Sequence, residues 1–489
     1  MRKHIWTLVG MLVLASLILS ACATPATGTP VVEQVTVEVP REATVIVTAP
    51  PAATATPVPP LDLTDRVAVR WFVGLGTGTN PPQIETQNQV VEQFNASQTA
   101  IYLQLEIVPN NSAYQILKTE IAAGNAPDIV GPVGVRGANG FKGLWLDLTP
   151  YIEENNVDLS VYDPALVEFW KITGEGQVGL PFAVFPSFLY YNVDLFQEAG
   201  LPEPPHEFGE QYDGAEWDID ALTELAKKLT VDTNGNDATS ADFDRDNIVQ
   251  YGFVHQWTDA RGQATLFGPA SFVADDFETA QIPDNWRAAF NWLYDGIWGD
   301  QPFYPSDTVI ASDLLGAGNP FNSGNVALAS THLWYTCCQH DVANWNIAVV
   351  PSYNGETTAK LHADTIRILA STQHPDEAFT VLTYLLGEAA PDLLLAYGGL
   401  PANQTQQADF FASLDETFAP LTIDWQVAID SLAYPDNPNH ESDMPNFLKA
   451  DDRVKAFGAL FGSTPDLDID AELDKLQSDL QAIFSEPAQ

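Results

Sequence analysis

Apolar and polar positions settle into two rhythms soon after residue 66. Val67, Val69, Trp71 and Val73 alternate with Ala68, Arg70 and Phe72, and Ile101, Leu103, Leu105 and Ile107 repeat the period of two. That period puts alternate side chains on opposite faces and predicts two strands. Ile84, Val90, Val91 and Phe94 fall between them at helical spacing, and Tyr114, Leu117 and Ile121 follow the second strand up to a stop at Gly124. Gly124 to Ile129 closes that helix and leads into a buried strand. Strand, helix, strand, helix, strand predicts a parallel α/β sheet. The glycine-rich segment Gly74 to Asn80 lacks a P-loop lysine and a dinucleotide spacing, and is read as a ligand-facing loop at a strand's carboxyl end.

The next informative stretch is Gly179 to Pro202. Leu180 to Phe185 is apolar and carries Pro181, and Pro186 follows; prolines make a poor helix interior and bias their neighbours toward extended backbone. Phe188 to Tyr191 is aromatic and strand-prone, Asn192 and Asp194 suit helix N-caps, and Gly200 suits a helix stop. The stretch reads as strand, crossing, strand and short helix. Further on, Leu222, Leu225 and Leu229 mark one amphipathic helix, Trp286, Ala289, Phe290, Leu293 and Ile297 a second, and Leu473, Leu476, Leu480 and Ile483 a closing one.

Between the first two of these lies Asp232-Thr233-Asn234-Gly235-Asn236-Asp237, with Asp242, Asp244 and Asp246 beyond. Asp232, Asn234 and Asn236 set oxygens at alternate positions, as a structural calcium site would. Glycine falls at the fourth place rather than the sixth, however, and Phe243 stands where a bidentate glutamate belongs. A solvated acidic turn is the other reading.

The amino terminus adds an address. Arg2-Lys3 precedes the apolar run Ile5 to Leu19, too short for a comfortable membrane span and read as a secretory signal. Leu19-Ser20-Ala21-Cys22 resembles a bacterial lipobox, which implies lipid on Cys22 and a membrane anchor. Ala23 to Pro60, built of Ala, Thr, Pro and Val, reads as an extended tether reaching on the order of 100 Å.

Composition narrows the function. The 489 residues allow more than one domain, and 20 basic against 65 acidic side chains give a net charge of −45 that repels nucleic acid. There is no G-x-S-x-G, H-E-x-x-H or P-loop, and the 8 histidines show no metal spacing. The 12 tryptophans suit either a core or a sugar-stacking site.

Ordered short motifs carry a resemblance. Leu180-Pro181-Phe182, Tyr190 to Phe196 and Ala199 to Pro202 are joined by Gly124 to Ile129, Phe321 to Leu328, Asn344 to Pro351, Pro375 to Phe379 and Gly398 to Ala402. Together they resemble the family 1 extracellular solute-binding proteins, the maltose-binding-protein-like receptors of ABC importers. The resemblance implies a type II periplasmic-binding fold of two α/β lobes, each a mixed sheet flanked by helices, with hinge crossings near Phe182, Pro351 and Tyr397. The implied division is 1–22 signal peptide, 23–64 tether, 65–182 plus 352–395 lobe I, and 183–351 plus 396–489 lobe II. It further implies a monomer that does no chemistry, binds a mono- or oligosaccharide between its lobes, and presents it to a membrane permease. A surface glycoside hydrolase and a sensory or adhesive receptor on the same fold are the alternatives.

For the binding cleft the resemblance points to Trp334, where the family often has a sugar-stacking aromatic. Trp257 and Tyr397 follow from their loops, Arg136 and Asp364 from their places after strand-like segments. Phe185 is included as a departure, since maltose-binding relatives can carry an acidic residue near this place. With Cys22 lipidated, Cys337 and Cys338 can pair within the chain only with each other; a vicinal disulfide and two free thiols are both open.

Overall fold

The computed structural model describes residues 66–172 and 174–487. The expected signal, lipidated Cys22 and tether lie outside the described residues. Strands β1 (Val67–Val73), β2 (Ile101–Ile107) and β3 (Ile129–Val133) alternate with helices α1 (Pro81–Ser97) and α2 (Asn110–Ala122), and α3 (Val135–Gly140) follows. β2 and β3 flank β1, both parallel to it. The chain's middle supplies β4 (Leu180–Asn192), α4 (Val193–Ala199), α5 (Ile219–Lys228), β5 (Val231–Asp232), β6 (Ile248–His255), α6 (Ala260–Ala264), α7 (Asp284–Trp298), β7 (Val326–His332) and β8 (Trp345–Ala348). The remainder supplies β9 (Leu361–Ile368), α8 (Pro375–Leu386), α9 (Ala390–Tyr397), β10 (Leu400–Pro401), α10 (Phe447–Ser463) and α11 (Ile469–Phe484). The sheet order is β2-β1-β3-β9-β4-β7-β6-β5, with β8 and β10 also paired to β4.

β4 joins the two halves. Every one of its 13 residues is buried. Leu180 to Pro186 pairs with β9, and Ser187 to Tyr191 pairs with β7. The sequence suggests two strands and a crossing; the structure has one strand that changes partners after Pro186. Pro186 lies at the end of the β9 ladder, and Pro181 faces Thr365 beside a register shift, so neither missing N–H interrupts a regular central ladder.

Both faces of the first sheet half are covered. Val69, Trp71 and Val73 pack with Phe94, Leu382 and Leu393, while Phe72 points the other way onto Leu117, Val130 and Trp145. Burial on both sides is usual for parallel strands under helices. The second half has its own larger core of Tyr190, Phe253, Trp286, Phe290, Leu328, Trp345 and Phe457. Among the described residues no single helix is long and apolar enough to cross a membrane.

The acidic loop closes on itself by hydrogen bonds. The buried Asp232 carboxylate accepts the backbone N–H groups of Asn234 (2.7 Å), Asn236 (2.9 Å) and Asp244 (2.8 Å), and the Asn236 amide at 3.2 Å. Four donors therefore converge where the calcium reading needs a carboxylate turned toward an ion, and Asn236 offers N–H rather than oxygen.

Candidate functional site

A cavity of about 410 Å³ opens between the loops of the two sheet halves, within the size range of small-molecule pockets. One wall is the glycine-rich loop after β1. Buried Gln83 accepts the Gly78 N–H at 2.9 Å and donates to the Thr77 hydroxyl at 2.9 Å, and buried Gln87 donates to the Gly78 carbonyl at 2.6 Å. Two side-chain amides thus fix a loop with no regular structure of its own.

The facing wall is aromatic. Trp334 follows β7 in a short 3-10 turn, Leu333–Cys337, and packs against both cores. Trp257 follows β6 in a left-handed backbone conformation, φ 54°, with its indole N–H donated to the Gly318 carbonyl at 2.7 Å. The two indoles lie parallel, 4° apart in plane and 5.9 Å between centroids, and Tyr335 meets both edge-on. Trp257 remains 46% exposed, so a large flat apolar face stays open to the cavity mouth. The sulfurs of Cys337 and Cys338 are 2.10 Å apart, a vicinal disulfide, and Asn80 Nδ2 approaches Cys338 Sγ at 3.5 Å from the opposite wall.

The floor is polar. β9 alternates, so His362 and Asp364 share a face, and both line the cavity. Gly76 and Gly134 make room for the Asp364 carboxylate: a Cβ on Gly134 would stand 2.9 Å from Oδ1 and one on Gly76 3.2 Å from Oδ2. Among the described residues nothing hydrogen-bonds that carboxylate. Burial pushes its pKa up to about 7, with the Glu441 charge adding to the rise and His362 opposing it.

Arg136 also borders the cavity, but its guanidinium is engaged elsewhere. Nε and Nη2 both donate to Asp451 Oδ2, at 2.9 and 2.6 Å, and the plane lies 4.6 Å over the Tyr114 ring. Asp451, 1% exposed, gives its other oxygen to Arg261 at 3.1 Å. The Arg136 backbone N–H donates to Glu441 Oε2 at 3.0 Å.

Five of the six expected cleft residues therefore line one cavity: Trp334, Trp257, Phe185, Arg136 and Asp364. Phe185 is 2% exposed and contributes its edge from the core. Tyr397 does not reach the cavity. It is fully buried on the inner face of α9 with Leu393 and Leu394, edge-on to Phe182 at 6.1 Å. The helical spacing 393, 394, 397 carried that signal, and it outweighs the loop that follows.

Tyr114, His362 and Glu441 are lining residues that sequence reasoning missed. His362 was within reach, two places before Asp364 on one strand face. Glu441 sits in an irregular segment with no periodic signal.

The family profile described as bacterial extracellular solute-binding protein matches residues 80–390. A protein of Brucella abortus (strain 2308), described only as a binding protein, is 24% identical over 391 residues, covering 75% of this chain and 86% of its own. Among solved structures, an ABC substrate-binding protein from Listeria monocytogenes in complex with cycloalternan superimposes with a TM-score of 0.67 at 18% identity, over 86% of this chain and 99% of that one. A Thermus thermophilus maltotriose-binding protein bound with maltotriose gives 0.60 at 17%, over 85% and 99%.

Proposed function

Because the chain belongs to the bacterial extracellular solute-binding proteins, we propose that it captures a mono- or oligosaccharide in the Trp257–Trp334 cavity and delivers it to the permease of an ABC importer. The observation that carries the carbohydrate reading is the pairing of an open indole face with a buried carboxylate that no described residue hydrogen-bonds. A pyranose offers C–H groups to the first and hydroxyls to the second. Trp334 and Trp257 stack on the ring, Asp364 accepts hydroxyl hydrogen bonds, and Phe185 and Tyr114 limit the depth. Arg136 shapes the floor through Asp451 instead of reaching for the solute. The sugars in the Listeria and Thermus structures support the same ligand class.

Solute bridging the two walls favours a closed form, whose surface the permease reads; the protein itself does no chemistry and acts as a monomer. Lipid on Cys22 holds it at the outer face of the membrane, with the Thr- and Pro-rich segment as tether. A thermal-shift screen against neutral sugars tests the solute: a ligand at about 100 Kd adds roughly 2.7 kcal/mol to stability. No shift with any mono- or oligosaccharide, alongside a shift with another solute class, would overturn the carbohydrate reading. Cys22→Ala tests the anchor by leaving an unprocessed precursor or releasing the chain; unchanged processing and membrane retention would reject it.

A further inference from the structure

Three histidines from distant segments meet beside the cavity floor. The His362 ring lies 4.4 Å from that of His332 and 4.8 Å from that of His440, nearly perpendicular to both. His440 Nδ1 is 2.7 Å from the buried Asp436 carboxylate, which also accepts the His440 and Leu361 backbone N–H groups at 2.7 Å each. A carboxylate partner makes Nδ1 the donor and leaves the lone pair on Nε2. That Nε2 is buried and, among the described residues, has no hydrogen-bond partner. His332 is arranged alike, with Nδ1 2.8 Å from the Phe185 carbonyl and a buried, unpartnered Nε2. His362 Nδ1 stands 3.6 Å from Glu441 Oε2, too far for a hydrogen bond.

His362, His440 and Glu441 bring one donor atom each to within 4.8 Å of one another. We propose that they form a transition-metal site of the Zn²⁺ class on the cavity wall, with Asp436 orienting His440. Two imidazoles and a carboxylate suit zinc and its first-row neighbours, whereas calcium and magnesium prefer oxygen alone. Atoms bound about 2.1 Å from one tetrahedral ion lie about 3.4 Å apart, so the widest of these separations closes by up to about 1.4 Å on binding. His362, at the cavity surface with its side chain 23% exposed, supplies that movement.

The Asp436–His440 pair is the carboxylate–histidine arrangement that fixes the tautomer and orientation of metal-bound imidazoles. Lys360 and Arg136 lie near with like charge, but Asp364, Asp436 and Glu441 outnumber them. Three protein ligands leave coordination open, and His362 and Glu441 face the solute cavity. Metal would therefore sit within reach of a bound hydroxyl or carboxylate, whatever the solute proves to be.

The test uses the full-length chain, stripped with EDTA and kept oxidised. One equivalent of Co²⁺ should produce visible ligand-field bands that Zn²⁺ displaces, and Zn²⁺ should raise the melting temperature where Ca²⁺ and Mg²⁺ do not. Both effects should vanish in His362→Gln and Glu441→Gln, while Asp436→Asn should weaken Zn²⁺ binding about 10–100-fold. Near-UV circular dichroism checks each fold; if buried His440→Gln fails to fold, the cavity-surface His362→Gln decides. Absence of the Co²⁺ bands in the folded wild type, or bands unchanged in His362→Gln and Glu441→Gln, overturns the site.

Discussion

On one side of the cavity two indoles lie parallel at 5.9 Å, carried by the segments that leave the neighbouring strands β6 and β7. On the other, Arg136, Asp364, His362 and Glu441 line the cavity with charged and titratable groups. The aromatic wall is held by its own strand ends and one indole N–H bond to Gly318. The charged wall has no such local source. Arg136 and Asp451 are 315 residues apart in sequence, and the buried Asp451 carboxylate is met by Arg136, Arg261 and, one turn along its own helix, Lys455 at 3.3 Å. The contrast separates tasks: the exposed Trp257 indole can change with little cost to the fold, whereas the Arg136–Asp451–Arg261 network cannot be altered singly.

The largest effects should come from breaking the charged side. Asp451→Ala strands two guanidinium groups, one of them 2% exposed, and should cost about 3–5 kcal/mol of stability in urea unfolding. A loss under about 1 kcal/mol would mean that solvent reaches the floor and that the two walls do not differ in this way. Tyr397→Ala belongs with it, because a buried aromatic truncated to alanine should cost about 3–5 kcal/mol. Tyr397→Phe should be neutral or mildly stabilising, since the hydroxyl is buried and has no partner among the described residues.

Asp364→Asn sharpens the comparison, because it alters the floor at a carboxylate that no described residue hydrogen-bonds. Binding of the solute should weaken by about 1.5–3 kcal/mol, as expected for a hydrogen bond to a charged group. The unliganded melting temperature should hold or rise, because a buried charge is removed and no protein hydrogen bond is lost. A drop in stability without a change in affinity would move Asp364 from the site into the scaffold.

The smallest effect is expected away from both walls. Millimolar calcium should leave the melting temperature unchanged, because Asp232 is already occupied by four N–H donors. A clear rise would show that Asp232, Asn234 and Asn236 turn their oxygens toward an ion.

The same contrast explains what could be read from the residues alone. Period-two runs such as Val67 to Val73 and the helix stop at Gly124 announce the α/β order because adjacent residues carry the signal. Trp334 was legible for a related reason, standing just past a strand whose neighbouring motifs keep their order. The continuity of β4 was not: its prolines argued for a break, and only the change of partner after Pro186 makes an unbroken strand tolerable. His332, His362 and His440 show no spacing along the chain, since three separate segments bring them together. Tyr397 falls outside the cavity because the helical periodicity it shares with Leu393 and Leu394 turns it into the core, whatever loop follows. Local patterns therefore led to the aromatic wall, and only tertiary structure assembled the charged one.

The central claim is that solute binds against the indole pair, and Trp334→Ala tests it most directly. Isothermal titration calorimetry with the best sugar from the thermal-shift screen should show a loss on the order of 1–3 kcal/mol of binding free energy in a protein that still folds cooperatively, although the ring's packing on both cores is lost. Wild-type affinity in a well-folded Trp334→Ala protein would contradict it.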